Sequence, residues 1–195
     1  MNKKFLALGY AICLTFLSVN GHASEDSETD KAWRSVLQGT AIAIMRHALA
    51  PGTGDPTHFE LDDCTTQRNL SDEGRAQASA IGDLFREKGI ATAQVITSEW
   101  CRCRETARLL ELGPPEPFAP LNSFFQNRQD ADEQTRRLRE AMPNWLQPGS
   151  TPTVLVTHQV NISALTGNFT SSGEILIISL VDERVDVMAS IATLD

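Results

Sequence analysis

Residues 153–165 read TVLVTHQVNISAL. The run from Thr153 to Thr157 is short, β-branched and apolar, the composition of a buried strand, and it delivers a polar residue, His158. A short helix is expected to follow, to Leu165. The same grammar recurs twice upstream. TAIAIM at 40–45 ends in Arg46-His47, and QVIT at 94–97 ends in Ser98 with Arg102 just beyond. Between these runs the period changes to that of a helix. Ser71 caps a segment with Asp72 and Glu73 in its first turn, where carboxylates meet the positive end of the helix dipole. Ala76, Ala80, Ile81, Leu84 and Phe85 then repeat at helical spacing, and Gly89 closes the segment.

Further helices are predicted over 103–112, stopped by Gly113-Pro114-Pro115, and over about 130–146. Strands are predicted over 175–180 and 185–191, the first opened by Gly173-Glu174. Alternating strands and helices argue for an α/β domain with a largely parallel, buried sheet. No internal repeat or low-complexity tract divides the 195 residues, so one domain is expected, over 40–195.

The ends of the chain read differently. Lys3 and Lys4 precede an apolar run from Phe5 to Val19, and Gly21-His22-Ala23 supplies small residues before a cut, so residues 1–23 read as a secretory signal peptide. Its apolar run would rise only about 22 Å as a helix, short of a hydrocarbon core roughly 30 Å thick. Bulky Ile12 ahead of Cys13 argues against a lipoprotein cut there. Residues 24–39 read as a polar leader, mobile over 24–34. The expectation is an exported, periplasmic protein.

Charge narrows the partners. Seventeen basic residues against 25 acidic give −8, and −10 once Lys3 and Lys4 are removed. Such a chain has no footprint for nucleic acid or an anionic membrane surface. An anionic substrate must be held by a local cluster of Arg or His, and three predicted strand ends carry one: Arg46-His47, Ser98 with Arg102, and His158. Ligands in open α/β sheets bind beyond the carboxyl ends of strands. Arginine offers a planar fork to phosphate oxygens, and a neutral imidazole can attack phosphorus.

Three cysteines remain after residue 23. C-x-C with one distant Cys and no nearby His is not a zinc spacing. A disulfide from Cys64 to Cys101 or to Cys103 is expected, with Cys101 favoured and one thiol left over. Closing a loop of about 37 residues would stabilise the fold by about 4 kcal/mol in the loop-entropy model.

These residues carry a family resemblance. IMRHALAPG at 44–52 resembles the Arg-His motif that opens the histidine phosphatase (phosphoglycerate mutase-like) superfamily, and SEWCRCRETA at 98–107 resembles its second signature. TVLVTHQVNISAL is similar to the segment that carries its second histidine, and NLSDEGRAQASAIGDLF at 69–85 resembles the helix between the first two motifs. The resemblance covers about residues 42–180 and implies a three-layer α/β/α sandwich. It also implies a metal- and cofactor-independent phosphatase for phosphomonoesters, with His47 as nucleophile and Arg46, Arg102 and His158 around the phosphoryl oxygens. RHALAPGTGDP, NLS, WCRCRETA, LNSFF and THQVNI resemble most the exported subgroup of lipopolysaccharide core heptose phosphatases. That implies a phosphorylated envelope sugar or glycolipid as substrate.

The sequence departs from the superfamily pattern in three places. Ala48 stands where Gly is usual. Ser123 follows Leu121-Asn122 where one branch has its acidic proton donor, and Gln159 follows His158 where another branch has its own. Asp55 and Glu174 are the remaining candidates for that donor. A phosphate- or phosphosugar-binding protein that lost turnover is therefore the competing reading, with a thiol–disulfide protein built on Cys101 and Cys103 a weaker third. Asp62, Asp63 and His58 read as loop residues, Phe124 and Phe125 as loop packing, and Trp33, Trp100 and Trp145 form no carbohydrate-binding row.

Overall fold

The computed structural model describes residues 27–193, so the signal-peptide reading of 1–23 lies outside the described residues. In chain order the elements are α1 (Glu28–Leu37), β1 (Ile42–Arg46), α2 (Asp72–Glu87), β2 (Gln94–Thr97), α3 (Cys101–Leu109) and β3 (Pro115–Pro117). Then come α4 (Ala131–Trp145), β4 (Thr153–Thr157), α5 (Gln159–Thr166), β5 (Ile175–Val181) and β6 (Arg184–Ile191). The six strands form one sheet in the order β3-β2-β4-β1-β5-β6. β3, β2, β4 and β1 run parallel, and β5 and β6 close the other edge antiparallel.

Alternation within the buried strands decides which helix covers which face. Ala43, Met45, Val154 and Val156 point to the side where Trp33, Ile81, Phe85 and Ala107 of α1, α2 and α3 pack. Ile42, Ile44, Leu155 and Ile178 point to the other, against Leu138 and Met142 of α4 and Ile162 and Leu165 of α5. The result is the three-layer α/β/α sandwich with a mostly parallel sheet, as the sequence led one to expect.

Three local expectations need correction. Residues 28–37, read as leader, form α1. Ser27 caps it by accepting from the Asp30 amide, and Ala32, Trp33 and Val36 make a buried stripe at helical spacing. Trp33 meets Phe85 edge-on, ring centroids 5.2 Å apart. That contact anchors a segment whose polar majority masks its short apolar stripe. β3 was not expected because its sequence is Pro-Glu-Pro; as an outermost strand paired only with β2 it tolerates prolines. α3 starts two residues before the predicted Cys103, since the Cys101 amide is satisfied from outside the helix by Gln67 Oε1 at 3.0 Å.

Two glycines let α2 come close to its neighbours. A Cβ at Gly74 would stand 2.0 Å from the carbonyl oxygen of Leu49, and one at Gly82 would stand 2.3 Å from that of Leu110. The helix thus presses directly on the loop after β1 and on the end of α3. Among the described residues no helix is long and apolar enough to cross a membrane.

Candidate active site

The parallel register brings three strand ends together. Arg46 stands opposite Thr157, and Thr97 opposite Val156. The ladder continues one step further: the His47 amide donates to Thr157 O at 2.9 Å and the Ser98 amide to Val156 O at 3.0 Å. His47, His158 and Ser98 therefore sit side by side at the carboxyl edge of the sheet, where strands leave backbone and side chains free for a ligand. The first turn of α3 adds Arg102. His47, His158 and Arg102 line a cavity of about 140 Å³ together with Arg46, Asp55 and Arg68, and Ser98 stands behind His158.

His47 is 2% exposed, and its Nδ1 lies 2.8 Å from the carbonyl oxygen of Ala48. A carbonyl only accepts, so the imidazole proton is on Nδ1 and the lone pair is on Nε2. The other side of the ring agrees, because Arg102 Nε–H donates to Nε2 at 3.2 Å. Ala48, in the usual glycine position, is fully buried, and its amide donates to Thr106 Oγ1, which in turn donates to Arg102 O at 2.7 Å. The methyl packs with Ala50, Leu70 and Ala78.

His158 is 4% exposed. Arg102 Nη2 donates to its Nδ1 at 3.4 Å, leaving Nε2–H to donate to Ser98 Oγ at 2.8 Å, which passes the chain to Asn122 Oδ1 at 3.2 Å. Burial drives the pKa of both imidazoles well below the usual 6.5, and the charge of Arg102 adds to the shift. Both rings are therefore neutral at neutral pH.

Arg102, 2% exposed, holds these parts together. Besides the two imidazoles it makes a fork to Asp55, Nη1 to Oδ1 at 2.8 Å and Nη2 to Oδ2 at 3.1 Å. Asp55 also accepts from Trp100 Nε1–H and from the Arg68 amide, each at 3.1 Å. Arg46 donates from Nη1 to Thr170 O, and its Nε is buried without a partner among the described residues. Three arginines against one carboxylate give this lining a surplus of positive charge in a chain whose net charge is −8.

Of the two proton-donor candidates, Asp55 reaches the cavity and Glu174 does not line it. The Glu174 carboxylate accepts from the Ser171 amide and from Ser190 Oγ, both at 2.7 Å. Ser123 and Gln159 line the cavity. Phe124 is buried as loop packing, whereas Phe125 is exposed and lines the cavity with Phe169.

Arg68 was not foreseen. Its Nε donates to Gly54 O at 2.7 Å and its Nη1 to Ala50 O, and burial lowers its pKa to about 10. The signal was available: a Cys64–Cys101 bridge carries the residues just after Cys64 towards Arg102. That bridge is present, closing 37 residues, with Cα atoms 5.6 Å apart. Cys103 is the free thiol, and burial pushes it up to about 12. It is a protonated core residue 3.5 Å from His158 Nε2, which removes the support for thiol–disulfide chemistry. Among the described residues no three of His, Cys, Asp and Glu are grouped as a metal would need.

A cationic cavity at the carboxyl edge of a parallel sheet, with a buried neutral imidazole whose lone pair is held beside an arginine fork, belongs to an enzyme that handles phosphoryl groups on a phosphoglycerate mutase-like fold. Residues 42–124, from β1 through Arg102 to the loop after β3, match the sequence model of the histidine phosphatase superfamily, branch 1. The chain is an enzyme of the histidine phosphatase type.

Solved structures agree on the fold. The protein histidine phosphatase SixA, solved with tungstate, superposes with a TM-score of 0.55 at 15% identity, covering 78% of this chain and 96% of its own. A mycobacterial glucosyl-3-phosphoglycerate phosphatase gives 0.54 at 17%, covering 76% and 96%. The alpha-ribazole phosphatase from Shigella flexneri gives 0.54 at 15%, covering 75% and 94%. No functionally curated protein matches the chain in sequence.

Proposed function

We propose that the protein is an exported, periplasmic phosphatase that works through a phosphohistidine at His47 without metal or cofactor. The observation that carries this reading is the tautomer. Ala48 O holds the proton on Nδ1, so Nε2 offers its lone pair to phosphorus. In the free enzyme that lone pair is covered by Arg102 Nε–H. An entering phosphoryl group draws the guanidinium onto its oxygens, which uncovers Nε2 and places the group in line for attack.

Arg46 and Arg102 bind the oxygens, and the unpartnered Nε of Arg46 is a donor ready for one of them. His158, held at Nδ1 by Arg102 Nη2 and at Nε2 by Ser98 Oγ, fixes the guanidinium beside His47 without supplying a proton of its own. Water then releases phosphate from His47. Phosphoryl transfer asks mainly for positioning and electrostatic stabilisation, and this constellation supplies both.

For the substrate we propose a phosphorylated envelope sugar such as lipopolysaccharide core heptose, in a domain spanning residues 40–195 preceded by a signal peptide. The sequence likeness of RHALAPGTGDP and THQVNI to the exported subgroup supports it. The three structural neighbours are named for removing phosphate from different carriers, which supports the reaction and leaves the carrier to this chain's own residues. A second reading, a phosphate- or phosphosugar-binding protein, draws on one observation: among the described residues Asp55 is the single carboxylate lining the cavity, and it is bound to Arg102.

One experiment separates them. Phosphate release from aryl and sugar phosphates would be measured with chelator present, alongside acid-labile, base-stable labelling of the protein. Turnover and label that both vanish in His47→Ala are expected. Phosphate binding with neither would favour the binding protein.

A further inference from the structure

We propose that the phosphoryl group removed here is carried on a leaving group that departs as a stable anion, taking no proton from the protein: a phosphoanhydride, the terminal phosphate of a diphosphate substituent on a sugar. This rests on the phosphohistidine reading and narrows its carrier from a simple ester to an anhydride.

The supply of protons in the cavity decides which leaving group can depart. As the bond to phosphorus breaks, charge develops on the leaving oxygen. A sugar alkoxide is so basic that it needs a positioned acid. Asp55 lines the cavity, but its two oxygens accept four N–H groups, two from Arg102, one from Trp100 and one from the Arg68 backbone. A proton placed there would have to break the buried fork to Arg102, and none of those donors can accept it.

The other acids are committed elsewhere. Glu174 accepts from Ser171 and Ser190. Glu99 accepts from Asn122 Nδ2 and lines a different groove. Asp130 and Glu133 line a neighbouring groove, and both Glu133 oxygens are held by Arg136. The N–H of each imidazole is already donated, from His47 to Ala48 O and from His158 to Ser98 Oγ. Guanidinium groups donate hydrogen bonds but do not surrender protons. Among the described residues, then, no group of this cavity has a proton to give to a leaving oxygen.

A bridging oxygen between two phosphorus atoms needs none. His47 Nε2 forms the N–P bond while the P–O bond to the bridge breaks. The electron pair stays on the bridging oxygen, which leaves as a terminal oxygen of the shortened substituent. Water then adds to phosphorus, the N–P pair returns to Nε2, and both hydrogens of the water leave on the oxygens of orthophosphate.

The test uses the purified, disulfide-bonded protein with an alkyl phosphate, the diphosphate of the same alkyl group, and a series of aryl phosphates graded in leaving-group acidity. We expect kcat/KM for the diphosphate to exceed that of the monophosphate by about 100-fold or more, the scale that a positioned general acid would otherwise supply. Aryl rates should climb steadily with leaving-group acidity, and Asp55→Asn should slow every substrate by one common factor. Similar rates for the two alkyl substrates with a flat aryl series would overturn the inference. So would an Asp55→Asn variant that slows the monophosphate and spares the diphosphate, since that pattern identifies Asp55 as an acid. No turnover and no phosphohistidine on any substrate would overturn the phosphohistidine reading beneath it as well.

Discussion

The cavity has two walls built by different means. One is made of strand ends and the first turn of α3: His47 is placed by a main-chain ladder bond to β4, His158 follows β4 directly, and Arg102 is placed by the helix that begins at Cys101. The other is the stretch between β1 and α2, which holds no strand and only a single 3-10 turn, at Cys64–Thr66, and yet delivers Asp55 and Arg68. Side chains hold that second wall. Gln67 Nε2 donates to Glu60 O and Leu61 O, Gln126 Nε2 donates to Asp55 O, and the disulfide ties Cys64 to the start of α3. The first wall shares the stability of the sheet, whereas the second can open locally unless its cross-links hold. A chemical group that must not move is on the sheet, and the charges that tune it are on the loop.

Three changes would strain this contrast, from the strongest to the mildest. Arg102→Lys removes the fork shared by both walls. It loses the paired bonds to Asp55 and the contact to His47 Nε2, because a point charge does not replace a planar guanidinium. We expect kcat to fall by about 100- to 1,000-fold, the cost of losing one preorganised donor at developing charge, with steady-state kinetics as the readout. A fall of less than tenfold would mean that the walls act independently.

Cys64→Ser tests the loop alone. Stability should drop by about 2–4 kcal/mol, as for removal of a cross-link of this span, visible as a lower urea midpoint. The phosphohistidine should still form at low temperature, because the sheet wall is untouched.

The mildest test is pH. Both imidazoles have folded pKa values below the unfolded value of 6.5. Above pH 6.5 neither state takes up protons at these sites. Below it the unfolded chain binds protons that the folded chain refuses, so stability falls as pH falls. Each histidine contributes up to about 1.4 kcal/mol per pH unit in that window. Melting curves at pH 7 and pH 5.5 should show the loss, and it should halve in His158→Asn.

The same contrast explains what could be read from sequence. Arg46, His47, Ser98 and His158 were legible because each directly follows a short apolar run, and a buried strand announces its end by the first polar side chain. QVIT and TVLVT match β2 and β4 residue for residue. Residues 48–70 have no period to read. Asp55 was found only as a carboxylate in a loop, and Arg68 was missed, since its place depends on a disulfide and on carbonyls of Ala50 and Gly54 that no spacing reveals. Glu174 misled for the reverse reason. It opens a strand beside the site, but its side chain turns to Ser190 on the far edge strand. α1 hid its Trp33 and Val36 within a polar stretch.

The strand order has a consequence for how the chain is made. β1 and β2 are early in the sequence and apolar, but they are not neighbours; β4 lies between them. A polypeptide emerging from its N-terminus therefore carries β1 with no mate, and β2 paired only with the short edge strand β3, until Thr153–Thr157 has been synthesised. His47 and Arg102 exist long before that moment, but the imidazole of His158 and the ladder that aligns all three do not. The nascent chain is therefore inert until the fourth strand slots in, and activity should appear only after that step.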